Sequence, residues 1–283
     1  MKLVRFGAPG AERPGIVDTH GAVRDLSAHI PDITGETLGD ATALDKLRKL
    51  DLKALPIAPQ GARLGPPVGN VRNFIAVGLN YEDHAKETGS PIPTEPILFN
   101  KLPNCIVGPT DDVMVPKGSI KLDYEVEIAF VIGKRARYVE EKDAPAHIAG
   151  YSICNDVSER HFQAERGGQW MKGKCAETFG PLGPWLVTRD EIADVGNLAM
   201  ALDVNGQRRQ TGNTKTMIFG IPHLLHYISQ FMVLEPGDVV TTGTPPGVAL
   251  GMKPPVWLKP GDVMTLTIEG LGTQTSKVVP FKE

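Results

Sequence analysis

Apolar residues in this 283-residue chain fall mostly in short runs that predict β-strands. NFIAVGLN (73–80) is a continuous apolar run, typical of a buried strand, and DYEVEIAFVIG (123–133) is apolar and β-branched apart from its acids. NLAMALDVNGQRRQ (197–210) has an Asn-Gly pair between two alternating stretches, which predicts a hairpin. Two Pro-Gly-Asp turns, in 234–244 and 258–268, are each followed by β-branched residues and predict further strands.

Helical spacing of apolar residues is confined to four segments, at 38–52, 81–87, 140–150 and 220–232. Asp40 and Asp83 are placed to cap the first two at their N-termini, and Gly150 is placed to end the third. Pro222 falls in the first turn of the fourth, where no N–H is needed. With 31 glycines and 24 prolines spread along a strand-rich chain, the predicted fold class is α+β, mostly β.

The same pattern divides the chain into a small unit and a large one. Residues 1–70 are predicted to form a small N-terminal α/β domain with short strands at 2–6 and 21–26. The Pro- and Gly-rich run at 56–70 is predicted to be the linker that ends this domain. Residues 71–283 are predicted to form the larger β-rich domain, which contains all the candidate chemistry.

Composition excludes several classes of function. The chain is 41% hydrophobic and carries a net charge of −3 with scattered basic residues, which favours neither nucleic acid nor an anionic membrane as a partner. No apolar run is long enough for a membrane span, and the start has no signal-peptide core, so a cytoplasmic protein is expected. Cys105, Cys154 and Cys175 are too widely spaced for a CxxC zinc site and, being three, do not form a disulfide framework.

Three acids raise the possibility of a metal site. Glu125 and Glu127 lie on the same face of a predicted strand, and Asp156 follows another strand. Paired buried carboxylates are costly unless a cation neutralises them, and a hard divalent ion such as Mg²⁺, Mn²⁺ or Ca²⁺ prefers oxygen ligands. The alternatives are a solvent-facing strand for the glutamates and an Asx turn or N-cap for Asp156. Spacing alone does not decide between them.

Three further groups have both a chemical and a structural interpretation. His84 and Glu87 are neighbours on a helix, so that the carboxylate either orients a proton-accepting imidazole or forms a surface ion pair. RGGQWMKGK (166–174) is either a flexible basic loop or a source of Lys174 for an anionic intermediate. TTGTPPGV (241–248) either binds an anion through backbone N–H groups or is a tight turn.

The order of these motifs resembles the fumarylacetoacetate hydrolase family. NYxxHAxE, DYExE, NDVSxR, WxxGK and TGTPxGV occur in sequence within residues 71–271. The resemblance implies a mixed β-sandwich roll around a metal, preceded by a small N-terminal α/β domain and assembled as a homodimer.

Carried over residue by residue, the resemblance implies a complete set of site residues. Glu125, Glu127 and Asp156 are the implied ligands of Mg²⁺ (or Mn²⁺), and His84 with Glu87 is the implied pair that activates water. The other implied residues hold the substrate or its charge: Lys174 steadies the enolate or substrate carboxylate, Arg160 and Gln163 face the substrate, Thr244 contacts its carboxylate, Tyr81 lines the pocket, and Lys101 supports the charge balance.

The implied activity is hydrolysis of a C–C bond in a 2,4-diketo acid of the acylpyruvate type, with a small 2-keto acid as the only partner besides a second copy. Residues 155–188 resemble a bacterial subgroup that acts on 2,4-diketo-3-deoxy sugar acids and is often labelled ureidoglycolate lyase, although Glu177 stands where Asp is expected. The alternatives are ureidoglycolate cleavage, oxaloacetate decarboxylation, hydroxymuconate isomerisation, or a non-enzymatic binding protein. Loops 88–96 and 205–216 are predicted to line the pocket for the acyl arm.

Overall fold

A computed structural model describes residues 1–283, and most of its regular structure is β. The strands are β1 Lys2–Phe6, β2 Arg13–Val17, β3 Val23–Asp25, β4 Leu64–Gly65, β5 Phe74–Gly78, β6 Ile97–Lys101, β7 Ile106–Val107, β8 Val113–Met114, β9 Leu122–Asp123, β10 Val126–Ile132, β11 Ile148–Asn155, β12 Ser158–Glu159, β13 Gly180–Pro181, β14 Leu186–Thr188, β15 Ala199–Val204, β16 Gln207–Asn213, β17 Val239–Thr241, β18 Val263–Ile268 and β19 Gly272–Val279. The α-helices are α1 Gly35–Gly39, α2 Ala41–Arg48, α3 Glu82–Thr88, α4 Arg160–Ala164, α5 Met171–Lys174 and α6 Ile221–Phe231.

Two large sheets enclose the core. The first has the order β3-β2-β1-β14-β11-β10-β17-β5-β6, with β4 also paired to β1, and the second has the order β16-β15-β18-β19-β8. Strands β10 and β11 of the first sheet pack against β15, β18 and β19 of the second, and every residue of β10 is buried. This arrangement confirms the predicted α+β, mostly β fold. None of the helices combines the length and apolar character that crossing a membrane requires.

The N-terminal strands extend the first sheet. β1 pairs antiparallel with β14, placing Lys2 opposite Val187. The division of the chain into two domains at residue 70 stays a prediction. The pairing of β1 with β14 joins residues 1–70 to the rest of the chain in one sheet. β2 was not predicted, because its Pro14 and Gly15 are the two residue types that normally argue against a strand interior.

Several local signals give the predicted structure. The Asp40 carboxylate accepts hydrogen bonds from the N–H groups of Thr42 and Ala43, at 2.8 and 3.2 Å, and caps α2. Asn205 and Gly206 adopt φ angles of 52° and 75° between β15 and β16, as a two-residue hairpin turn requires. The hairpin and the cap depend only on neighbouring residues, so the sequence pattern predicts them directly.

Two local predictions are wrong. Asp83 does not cap α3: the helix begins after Tyr81, and its N-cap position makes no side-chain hydrogen bond. Gly150 does not end a helix but lies inside β11, after a 3₁₀ turn at Glu141–His147. A Cβ at Gly150 would lie 2.2 Å from the carbonyl oxygen of Val187, so this glycine allows β14 to approach closely.

Candidate metal centre and active site

Three carboxylates converge where β10 begins and β11 ends. Glu125 precedes β10, Glu127 lies within it, and Asp156 follows β11, whose last residue pairs with the first of β10. One carboxylate oxygen from each of the three lies within 4.8 Å of the others. Glu125 is 4% exposed and Glu127 is 1% exposed, which excludes a solvent-facing row of acids. The Asp156 carboxylate accepts from two lysines rather than forming an Asx turn.

Two cations neutralise Glu125. The Lys174 ammonium donates to Glu125 Oε2 and to Asp156 Oδ2, both at 2.7 Å. The Arg160 guanidinium donates to Glu125 Oε1 at 2.6 Å and to Asp123 Oδ2 at 2.8 Å. Burial opposes ionisation of Glu125, but Arg160 and Lys174 outweigh it and lower its pKa to about 2. The chain's own cations therefore hold Glu125 as a carboxylate.

Lys101 lies behind the carboxylates rather than in front of them. Its fully buried ammonium donates to Asp156 Oδ1 at 2.6 Å and to the carbonyl oxygens of Lys174 and Phe179 at 2.6 and 3.0 Å. Burial is the largest single influence and would lower its pKa, but Asp156 together with Cys105 and Cys154 outweighs it, so the pKa of Lys101 is raised. All three N–H groups are used by the protein, so Lys101 serves the charge balance and has no donor left for substrate.

Glu127 differs from its neighbours because no cation binds it. Its Oε2 accepts from the Thr241 hydroxyl and, at 2.8 Å, from the Gly243 N–H. Burial, together with the negative charges of Asp156 and Glu125, raises the pKa of Glu127 well above its ordinary value. Oxygen donors with surplus negative charge are the set that a hard divalent cation prefers, so the residues present fit Mg²⁺ or Mn²⁺.

The predicted imidazole–carboxylate pair is present on α3. His84 Nδ1 lies 3.4 Å from Glu87 Oε2, and His84 is buried while Glu87 is half-buried. The Gly247 N–H donates to both oxygens of Glu87, at 3.0 and 3.1 Å. A Cβ at Gly251 would lie 2.4 Å from Glu87 Cδ, so the glycine leaves room for this carboxylate. The 241–248 loop thus does bind anions through backbone N–H groups, and these anions are the chain's own Glu127 and Glu87.

A cavity of about 250 Å³ opens onto these groups. Most of the predicted site residues line it: His84, Glu125, Glu127, Asp156, Arg160, Gln163, Lys174 and Thr244. Tyr81 does not, because it is fully buried with its hydroxyl 3.2 Å from Met200 Sδ. Thr88 and Ser90 of the predicted 88–96 loop line the cavity, whereas no residue of 205–216 does.

Thr244 lines the cavity but cannot bind a substrate carboxylate as predicted through its hydroxyl. That hydroxyl donates to the Val126 carbonyl oxygen at 2.9 Å and accepts from Gln210 Nε2 at 2.8 Å. A hydroxyl has one proton to give, and here it is used within the protein.

Sequence reasoning missed three residues of the site. Asp123 is fully buried and accepts from Arg160 and from the N–H groups of Ala249 and Leu250, so it orients both sides of the cavity. Its position beside the two glutamates in DYEVE was the available signal. Phe99 and Trp170 also line the cavity, with ring centroids 5.4 Å apart at 68°.

The chain is similar to known proteins over its whole length. A Burkholderia multivorans relative is 54% identical over 275 residues, 97% of each chain, and is named only provisionally as a hydrolase, without a substrate. The fumarylacetoacetate hydrolase from psychrophilic Exiguobacterium antarcticum is 37% identical with a TM-score of 0.88, covering 99% of this chain and 100% of that one.

Two other similar structures differ in their named activity. The maleylpyruvate hydrolase from Sphingobium sp. SYK-6, in complex with manganese(II) ion and pyruvate, is 28% identical with a TM-score of 0.83, and the match covers 100% of both chains. The 5-carboxymethyl-2-hydroxymuconate delta-isomerase from Mycobacterium smegmatis is 33% identical with a TM-score of 0.78, again over 100% of both chains.

The family model described as fumarylacetoacetate (FAA) hydrolase C-terminal matches residues 73–279. This match covers the whole second sheet, the strands of the first sheet other than β1 to β4, and every residue of the carboxylate site. The chain belongs to the fumarylacetoacetate hydrolase family, as its spaced motifs predict.

Proposed function

We propose that this enzyme is a metal-dependent hydrolase that cleaves the C3–C4 bond of a 2,4-diketo acid, releasing pyruvate and a carboxylic acid. One observation carries the proposal: the three carboxylates and His84 line the same 250 Å³ cavity. The manganese(II) and pyruvate in the Sphingobium complex support it by analogy.

Glu125, Glu127 and Asp156 would hold the metal. Lys174, Arg160 and Lys101 balance the charge of the triad on one side only, and Glu127 is left without a cation. When bound, Mg²⁺ or Mn²⁺ would supply Lewis acidity to the keto-acid end of the substrate.

His84 is the proposed general base. Because its Nδ1 faces Glu87, Nε2 is the nitrogen available to remove a proton from water. The hydroxide oxygen bonds to C4 of the diketo acid, and the C3–C4 bond breaks with its electron pair moving towards C3. Return of a proton to C3 gives pyruvate, and the oxygen stays on the released acid.

Lys174 is the proposed partner of the enolate that forms on cleavage. Two of its three N–H groups are bonded to Glu125 and Asp156, which leaves one donor for the substrate. Its Nζ also lies 5.3 Å from the centre of the Phe99 ring, on the cavity wall. The ammonium therefore stands between the carboxylates and the open part of the cavity, where a negative charge on the substrate would be stabilised.

A second candidate is isomerisation or decarboxylation through the same enolate. Similarity to the Mycobacterium smegmatis isomerase favours this candidate. Neither oxaloacetate decarboxylation nor hydroxymuconate isomerisation needs an activated water, so the His84–Glu87 pair favours hydrolysis. A 2,4-diketo-3-deoxy sugar acid as substrate, ureidoglycolate cleavage and a homodimer are further proposals that rest on the sequence resemblance.

The test measures three products side by side: pyruvate from 2,4-diketo acids, bicarbonate from oxaloacetate and urea from ureidoglycolate, each with and without EDTA. Pyruvate release that EDTA abolishes is the expected result. His84→Ala should lower the rate of pyruvate release by roughly 1,000-fold, while metal binding measured by calorimetry stays unchanged. Asp83→Asn, an exposed neighbour on the same helix, is the matched control. Full turnover in His84→Ala would contradict the role of this residue.

A further inference from the structure

The two glutamates of the carboxylate site lie on a part of β10 that has no paired strand on one side. β10 and β17 pair only from Ala129 opposite Thr241 to Val131 opposite Val239. Beyond Thr241 this pairing stops, and Gly243 adopts a φ angle of 90°. The backbone between the glutamates therefore needs other partners on this side, because a buried N–H or C=O group without a hydrogen bond is costly.

Gln210 supplies these partners from the second sheet. It is fully buried on β16, and its Oε1 atom accepts from the Val126 N–H at 2.9 Å. Its Nε2 atom donates to Thr244 Oγ1 at 2.8 Å and to the carbonyl oxygen of Pro245 at 2.7 Å. The orientation of the amide follows from its partners, because the Val126 N–H can only donate and the Pro245 oxygen can only accept.

These hydrogen bonds form a closed ring around Val126. The Thr244 hydroxyl accepts from Gln210 and donates its one proton to the Val126 carbonyl oxygen at 2.9 Å. Both backbone groups of Val126 are thus held by side chains, and both N–H groups of the Gln210 amide are used. Val126 lies between Glu125 and Glu127, so the ring fixes the stretch of backbone from which both carboxylates project.

The same amide also holds the loop that binds Glu127. Gln210 is bonded to the two residues that follow Gly243, and the Gly243 N–H donates to Glu127 Oε2 at 2.8 Å. A Cβ at Gly212 would lie 2.4 Å from the Cβ of Pro245, so β16 and this loop are in close contact. One buried side chain therefore holds both the backbone and a hydrogen-bond partner of a proposed metal ligand.

We infer that Gln210 is a positioning residue of the metal centre, which fixes the relative placement of Glu125 and Glu127 without a hydrogen bond to either. This inference rests on the proposed metal-dependent function and adds a residue of the second sheet to it. Residues 205–216 were predicted to line the pocket and do not. Through Gln210 they act on the site from behind its ligands, where hydrogen bonds commonly tune metal affinity.

The experiment measures Mn²⁺ binding by calorimetry, without substrate, in two matched variants. Gln210→Met keeps the length of the side chain but removes the amide from the ring, and should weaken Mn²⁺ binding by roughly 10- to 100-fold. The control is Gln274→Met, because Gln274 is also fully buried in the second sheet. Its amide donates only to the carbonyl oxygens of Ile153, Pro181 and Gly183, so this variant should keep the Mn²⁺ affinity within about twofold.

A second readout separates positioning from a general loss of stability. At saturating metal, the EPR spectrum of bound Mn²⁺ depends on the symmetry of its ligands. The line shape should change in Gln210→Met and match that of the wild type in Gln274→Met. Urea unfolding in EDTA measures the stability of both variants, so that the spectra are compared at known losses of stability.

A milder pair of variants tests the inference even if Gln210→Met does not fold. Thr244→Val keeps the β-branched shape but removes the hydroxyl that closes the ring, and should weaken Mn²⁺ binding about 5- to 10-fold. Thr244→Ser retains a hydroxyl at the same position and should bind Mn²⁺ within about twofold of the wild type.

The outcomes separate the inference from the function on which it rests. If Gln210→Met leaves affinity and line shape unchanged, or if Gln274→Met changes them equally, the role of Gln210 is wrong and the metal-dependent hydrolase still stands. Equal affinities of Thr244→Val and Thr244→Ser would likewise contradict the ring. If the wild-type protein binds no divalent ion, the proposed metal centre fails and the inference fails with it.

Discussion

Glu125 and Glu127 are two residues apart and line the same cavity, yet their surroundings are electrostatically opposite. Around Glu125, Arg160 and Lys174 hold the carboxylate ionised and lower its pKa to about 2. Around Glu127 there is only the Thr241 hydroxyl and a backbone N–H, and its pKa is raised. We call the surroundings of Glu125 the cationic flank and those of Glu127 the neutral flank. The charge of Glu125 is balanced within the folded chain, whereas that of Glu127 would be balanced only by a further positive charge, such as the proposed metal.

This difference indicates how the chain tolerates three buried acids before any metal binds. Lys174 bridges Glu125 and Asp156, which offsets the repulsion between these two carboxylates. Burial and the absence of a cationic partner raise the pKa of Glu127 instead, which favours its neutral form. A single site thus combines internal ion pairs with one carboxylate that has no cationic partner, and this is the carboxylate that the proposed metal would neutralise.

The largest expected effect comes from making each glutamate neutral in turn. Glu125→Gln and Glu127→Gln should each lower turnover by more than roughly 100-fold, because each removes a proposed metal ligand. Their effects on stability in EDTA should differ in sign. Glu125→Gln removes the anion that Arg160 and Lys174 share, which leaves only Asp123 and Asp156 to pair with these buried cations, and should cost about 3 kcal/mol. Glu127→Gln removes a buried acid whose ionisation the site disfavours and should stabilise the protein in EDTA.

Urea unfolding at neutral pH in EDTA measures this contrast, and calorimetry with Mn²⁺ measures the loss of metal binding. Equal destabilisation by the two substitutions would contradict the division into a cationic and a neutral flank.

The second prediction concerns pH. Glu127 has a raised pKa, so its contribution to stability is full below its ordinary value of 4.5 and is lost as the pH rises through its folded value. Glu125 has a lowered pKa, so its contribution is full above 4.5 and is lost as the pH falls towards 2. Tm against pH in EDTA should therefore fall on both sides. Glu127→Gln should flatten the fall in Tm on the alkaline side, and Glu125→Gln should flatten the fall on the acid side. If either variant changed the opposite side instead, the link between that glutamate and that side of the curve would be wrong.

The smallest expected effect isolates one hydrogen bond of the neutral flank. Thr241→Val keeps the β-branched shape but removes the hydroxyl that donates to Glu127, which should weaken Mn²⁺ binding about 5- to 10-fold. The neighbouring Thr242 hydroxyl donates to the Ile128 carbonyl oxygen instead, so Thr242→Val is the matched control and should leave the affinity within about twofold. Similar losses in both variants would indicate a general packing effect.

The sequence predicted those features that depend on neighbouring residues or on a spaced motif. The Asp40 cap and the Asn205–Gly206 turn need only local backbone geometry, and the acids of the triad were identified by motif order. What spacing could not predict were contacts between distant segments. Gly150 was predicted to end a helix. Its actual role is to allow the close approach of Val187, which is 37 residues further along the chain, and the local sequence pattern carries no sign of that contact.

The site shows the same limit. Tyr81 belongs to one of the motifs and Lys101 was implied by the resemblance, yet both are turned into the protein, where Met200 and Phe179 contact them. Phe99 and Trp170 were missed because a wall formed by two rings exists only after β6 and the segment before α5 are brought together. Motifs therefore predicted which segments meet, and only the structure shows which side of each segment faces the cavity.

The pairing of β1 with β14 has a consequence for biosynthesis. The strands near the N-terminus leave the ribosome early, but their partner begins only at Leu186. At ordinary elongation rates the interval is roughly 10–35 s, during which β1 has an unpaired edge that another nascent chain can occupy. The yield of correctly folded protein is therefore expected to depend on the rate of translation and on chaperones that cover this edge, as well as on the stability of the finished sheet.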